Sequence, residues 1–373
     1  MNIDITSKVY LNNTEIVRIS DDNGQVIWEK GSVEPEYFYV QNEYNGQNTF
    51  TLTKQGSPDI QNIEWSKDKE TWTAFDLSQS QNSVTLESGE KLYMRNDSGY
   101  FSQNASYYYK INCSENYSVG GNINTLLNYN DLSNVILYEY CFDRLFYQST
   151  TLISAQYLLL PSSTLARYCY EYMFYGCTSL VNAPALPATT LHYGCYRSMF
   201  YGCTSLTTAP ELNATNISGF CYERMFYGCT SLVNVQQTLP ATTLDFEYDI
   251  VSSLGCYGGM FQGCTSLVNA PSLPATTLTT GCYQYMFRNC TSLVNAPELP
   301  ARTLKQSCYY EMFRGCSSLK NIIIYANSIS ATTCLTNWVN GVSSTGDFYK
   351  LGSASFSTGV NGIPSGWTVH TSL

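Results

Sequence analysis

The side chains best equipped for chemistry are cysteines, 15 of them against only two histidines, His192 and His370. Such a set could ligate a metal, form disulfides or supply a nucleophilic thiol. Zinc is poorly served, because no Cys-x-x-Cys pair occurs and the two histidines are isolated. A glycine-rich phosphate loop, a nucleophile elbow and a His-Glu-x-x-His helix are also missing. No catalytic residue, cofactor site or metal ligand is therefore assigned, and the chain is not expected to be an enzyme.

The cysteines inform through their spacing instead. They recur at positions 141, 169, 195, 221, 256, 282, 308 and 334, at intervals of 28, 26, 26, 35, 26, 26 and 26 residues. Equivalent cysteines in stacked units would stand about 5 Å apart, which disulfide geometry tolerates. Two inward cysteine columns in a chain whose first residues show no secretion signal read better as small buried free thiols.

Residues that vary while this frame stays fixed are not dictated by packing, so they are candidates for partner contact. One column, the x of Phe-x-Gly-Cys, holds Tyr147, Tyr175, Tyr201, Tyr227, Gln262, Arg288 and Arg314. Tyr and Arg are frequent interface anchors. A second column, Ala185, Glu211, Ser272 and Glu298, would line a strand-side face, and its carboxylates read as an exposed row rather than an acid and base pair. The longest interval holds an inserted loop with Asp245, Glu247 and Asp249, a poor match to a calcium loop and a candidate protein contact.

The element that must position these residues is one repeat. The unit Cys169-Tyr170-Glu171-Tyr172-Met173-Phe174-Tyr175-Gly176-Cys177-Thr178-Ser179-Leu180 returns in the same frame from Cys195, Cys221, Cys256, Cys282 and Cys308. Cys169, Met173 and Phe174 fit one side of a short helix of about two turns, with Gly176 at its end. Leu180 and Leu186 bracket a short parallel strand limited by Pro184 and Pro187, which cannot donate ladder bonds. One unit cannot bury its apolar lining alone, so neighbours must stack. Eight coils at strand spacing would extend about 35 to 40 Å. The last unit replaces Met-Phe by Trp338-Val339 and Cys by Val342, as a closing coil would.

The expected architecture is mixed α/β: a small β module at 1–32, a β-sandwich-like domain at 36–112, an N-terminal cap at 113–140, repeats at 141–342 and a C-terminal cap at 343–373. The opening module reads as strands around Lys8-Val9-Tyr10-Leu11, Glu15-Ile16-Val17-Arg18-Ile19 and Gln25-Val26-Ile27-Trp28, turned at Asn12-Asn13 and Asn23-Gly24. Charged residues are only 13% of the chain, whereas Tyr occurs 32 times, giving an amphipathic surface. The net charge of -10, without a basic run, disfavours nucleic acid and anionic membrane partners. No stretch is long and apolar enough to cross a membrane as a helix.

The Met-Phe-x-Gly-Cys-Thr-Ser-Leu frame resembles BspA-like leucine-rich repeats, with departures at Gln148-Ser149, which stands for Gly-Cys, and at Asn213, which stands for Pro. The resemblance implies a solenoid used for adhesion or partner binding in surface proteins of gut and oral bacteria and in proteins of their phages. The opening module resembles the anchor of virion proteins from phages of gut Bacteroidetes. Together they imply a virion fibre or tail-associated protein, attached to other virion proteins by its N-terminal part and touching a host protein or glycan with its repeats. Fibres are commonly symmetric, so a homo-oligomer is compatible with this reading. A bacterial cell-surface adhesin is the alternative.

Overall fold

The computed structural model describes residues 36–57, 62–244 and 255–373 and, ahead of them, four short strands. Those four, β1 (Tyr10–Leu11), β2 (Thr14–Glu15), β3 (Arg18–Ser20) and β4 (Val26–Glu29), form two antiparallel pairs, β1 with β2 and β3 with β4. They belong to a first unit, 1–36, and everything from Tyr37 onward to a second.

The second unit opens with a β-sandwich. Its strands are β5 (Phe38–Asn42), β6 (Asn48–Gln55), β7 (Glu64–Ser66), β8 (Thr73–Ala74), β9 (Gln81–Leu86), β10 (Lys91–Arg95), β11 (Ser102–Asn104), β12 (Tyr107–Cys113) and β13 (Tyr117–Asn122). Alternation along β5, β6, β10 and β12 sends Phe38, Val40, Phe50, Leu52, Leu92, Met94, Tyr109 and Ile111 into the core and the residues between them outward. One sheet is ordered β11-β12-β6-β9 and the other β14-β13-β5-β10-β7-β8. Strand β14 (Leu152–Leu159) already lies in the first repeat and pairs parallel with β13. A single apolar core consequently runs from Phe38 to Trp367.

The first four repeats each end in one small parallel step. β15 (Thr164–Leu165), β16 (Thr190–Leu191), β17 (Asn216–Ile217) and β18 (Thr243–Leu244) pair in the order Thr164, Thr190, Asn216, Thr243. β19 (Asn321–Ile324), β20 (Asp347–Lys350) and β21 (Thr368–His370) close the far end, also parallel. Trp338 takes the place of the recurring Met there and meets the Phe313 ring at 6.1 Å, and its indole N–H donates to the Gly362 carbonyl at 2.9 Å.

The expected helix in each repeat does not form; the protein is mostly strands, and α1 (Thr125–Asn128), outside the repeats, is its one α-helix among the described residues. The reason lies in the backbone. Tyr168, Tyr172 and Gly176 have φ of 54°, 54° and 70°, and Gly194, Ser198 and Gly202 have 66°, 51° and 71° in the next repeat. A left-handed residue at every fourth position interrupts any right-handed helix. Alternate N–H groups then close tight turns, as Cys169 does to Ala166 and Met173 to Tyr170, while the others reach the next repeat: Tyr170 to Cys195, Tyr172 to Arg197, Phe174 to Met199, Gly176 to Tyr201. The apolar residues still point inward because the buried pairs, Cys169 with Tyr170 and Met173 with Phe174, also recur every four residues. Across repeats they stack as aromatic ladders, with Phe174, Phe200 and Phe226 at centroid separations of 5.4 and 5.6 Å.

A candidate contact face on the first four repeats

The left-handed residue at the end of each turn run, a glycine except at Gln148 and Asn289, directs the residue before it outward, and this is where the sequence places its tyrosine column. Tyr147, Tyr175, Tyr201 and Tyr227 form one continuous stack, with centroids 5.0, 4.5 and 4.4 Å apart and planes within 19° of parallel. These separations match the spacing between parallel strands. The flat ring faces are spent on one another, so a partner would meet half-buried edges and phenol oxygens.

Beside this stack runs a charged ladder that the sequence reading missed. Two residues after the first cysteine of successive repeats come Asp143, Glu171, Arg197 and Glu223. Arg197 is held between its neighbours, Nη1 at 3.0 Å from Glu171 Oε1 and Nε at 2.9 Å from Glu223 Oε2. Asp143 pairs with Arg144, and Arg224 stands 3.9 Å from Glu223. The three carboxylates are almost fully buried. Burial raises Asp143 to about 8 and Glu171 to about 7 against the opposing pull of the arginines, and it raises Glu223 in the same way. Three acids and three arginines thus pair with one another within the face.

A second aromatic line flanks the ladder. Tyr140 and Tyr168 stack at 4.7 Å, Tyr193 meets Tyr168 edge-on at 5.4 Å, and Phe220 meets Tyr193 at 4.8 Å. Arg144 lies over Tyr172 at 4.7 Å and over Tyr108 of β12 at 5.5 Å, extending the surface onto the sandwich. The signal was present in the sequence as a column two residues after each cysteine, but a column of mixed sign does not stand out where the aromatic one does.

The remaining candidates scatter. Arg288 and Arg314 both engage Glu311, at 3.1 and 2.7 Å, and so share one internal carboxylate. Glu211 is exposed in a shallow groove of about 390 Å³ lined by Pro184, Pro187 and Pro210. Glu298 accepts from the Tyr325 hydroxyl at 3.3 Å, three repeats beyond Glu211, and Ser272 bonds Thr238 at 2.7 Å, so this column gathers no site. Asp245, Glu247 and Asp249 lie outside the described residues.

The cysteines are all free and buried. Those of the second column donate S–H to the carbonyl of the phenylalanine one repeat earlier: Cys177 to Phe146, Cys203 to Phe174 and Cys229 to Phe200, each at 3.1 Å. Among the described residues no group of three or more His, Cys, Asp or Glu is arranged to hold a metal ion, and no helix is long and apolar enough to cross a membrane.

The family model for the BspA type leucine rich repeat region matches in six copies, across residues 143–253 and 221–360. No curated protein and no solved structure matches the chain. Repeats of this type suggest a role in adhesion or protein binding, in keeping with a face of tyrosine and arginine columns. With more than half of its length matched, the chain belongs to the BspA-type leucine-rich-repeat family.

Proposed function

We propose that the chain is a non-enzymatic binding protein whose 26-residue coils form a solenoid, and that the first four coils carry its contact face. The observation behind this is the gathering of Tyr140, Tyr168, Tyr172, Tyr175, Tyr201 and Tyr227 around a ladder of paired acids and arginines. Rings already held by stacking lose little freedom when a partner arrives. The finer placement is on a phage particle, attached by the N-terminal part, with the solenoid turned toward host protein or glycan. It draws on the resemblance of residues 1–32 to virion anchors. The family match favours a second reading, an adhesin of the bacterial surface.

Binding of labelled protein to bacterial cells tests the face. A Tyr172→Ala, Tyr175→Ala double variant should lose roughly tenfold in apparent affinity, as truncated aromatic anchors do, with unchanged melting. Undiminished binding would remove this face from the reading. Detection of the chain in purified particles, against its recovery in bacterial envelope fractions, separates the two placements.

A further inference from the structure

A second surface, on the sandwich and independent of the coils, has the makings of a ligand site. The outer face of the six-stranded sheet carries a row across four strands. Pairing sets Tyr93 of β10 opposite Tyr39 of β5, Tyr39 opposite Gly120 of β13, and Gly120 opposite Tyr157 of β14. At strand spacing the row is about 14 Å long. The gap at Gly120 is required, because a Cβ there would collide with the ring of Tyr39, which lies across β13. Tyr39 meets Tyr93 at 6.1 Å, and Tyr157 at the other end is 65% exposed, with Leu159 beside it on the same face.

Two ammonium groups ride on this row. Lys91 Nζ lies 3.8 Å over the Tyr39 ring and Lys69 Nζ 4.8 Å over Tyr93. Neither has a carboxylate within 4.0 Å among the described residues, in a chain of net charge -10. The carboxylates of neighbouring positions are engaged elsewhere: Glu64 with Arg95 at 2.7 Å, Glu43 with the Ser118 hydroxyl at 2.5 Å and Glu90 with Lys67 at 2.8 Å. The ring quadrupole holds each cation in place without neutralising it.

Tyr39 is only 8% exposed and serves to seat Lys91, so the open aromatic carbon is that of Tyr157 and of the half-buried Tyr93, and this carbon with two cations between complements a linear polymer of pyranose units in which some units are acidic. Sugar C–H faces pack on ring carbon, while a carboxylate or sulfate meets an ammonium already positioned. Single-stranded nucleic acid fits less well, because it brings a phosphate at every nucleotide to a row holding two cations. We propose that the Tyr93, Tyr39, Tyr157 row with Lys69 and Lys91 is a binding site for an acidic polysaccharide.

Affinity electrophoresis of the full chain through gels containing polygalacturonate, chondroitin sulfate or dextran, with labelled oligothymidylate as a fourth probe, tests this. Retardation by polygalacturonate shows that a carboxylate suffices, retardation by chondroitin sulfate alone shows that sulfate is required, and dextran should have no effect. Tyr157→Ala and Lys91→Met should each weaken retardation about tenfold. Tyr157→Phe, which keeps the ring, and Val360→Ser, exposed in the C-terminal cap and outside both faces, should leave it unchanged. Absence of retardation by both acidic glycans, equal retardation by dextran, a preference for the oligonucleotide, or insensitivity to both Tyr157→Ala and Lys91→Met would overturn the proposal.

Discussion

At the scale of single residues, the cysteines act as hydrogen-bond donors rather than reagents. Each second-column thiol satisfies the carbonyl of a phenylalanine in the repeat before it, and burial pushes the thiols of Cys177, Cys229 and Cys316 up to about 12. Because the thiolate is the reactive form, a thiol reagent should label none of the 15 cysteines in the folded protein and all of them in denaturant. Mass spectrometry of the two samples would decide it. The first repeat supports the same logic by exception. Its Ser149 stands where cysteine is the rule because its neighbour is the sandwich, and its hydroxyl meets Tyr117 at 2.7 Å and Asn112 at 2.5 Å. The ladder phenylalanines bear the packing load. Phe200→Ala, which opens a gap between Phe174 and Phe226, should cost about 3 to 5 kcal/mol in denaturant titration.

At the scale of the element, the unit is a run of turns in which every fourth residue is left-handed. Gly202 has φ of 71° and room for a Cβ, whose nearest contact would be 3.8 Å away, so its requirement is conformational rather than steric. Gly202→Ala should cost about 1 kcal/mol and Gly202→Asn less, as Asn289 already occupies the equivalent position at φ of 61°. The run was only half legible beforehand. The 26-residue frame, the inward cysteines and the outward tyrosine column could be read from identity and spacing. The helix could not be rejected, because inward residues at 169, 170, 173, 174 and 177 suit a helix and a four-residue turn repeat alike, and Tyr172, Ser198 and Arg224 adopt left-handed φ without being glycine. The buried ladder adds a pH signature. Asp143 and Glu171 titrate higher when folded than their ordinary values near 4, so the unfolded chain loses these protons first. Their favourable contribution is complete below about 4 and is lost as pH rises through about 7 and 8. Thermal melting should therefore fall over that window, and Asp143→Asn with Glu171→Gln should flatten the slope.

At the scale of the second unit as a whole, sandwich and repeats are one cooperative body. β13 pairs with β14, the Ile111 N–H donates to the Leu145 carbonyl at 2.8 Å, and the core passes between them without a break. The sandwich is thus the lid of the first repeat, as Trp338 and the strands after it are of the last. Every other contact in the stack is between a repeat and its immediate neighbours, and such an array tolerates the loss of a whole unit but not of part of one. Residues 282–307 make up one complete unit, and their removal joins Gly281 to Cys308 in the original frame. Thermal and chemical unfolding of this deletion is the most direct measurement. Stacking by repeat predicts a single cooperative transition with native aromatic circular dichroism, whereas deletion of residues 282–294 alone abolishes both. Collapse of the whole-unit deletion, or equal tolerance of the half-unit one, would contradict the account.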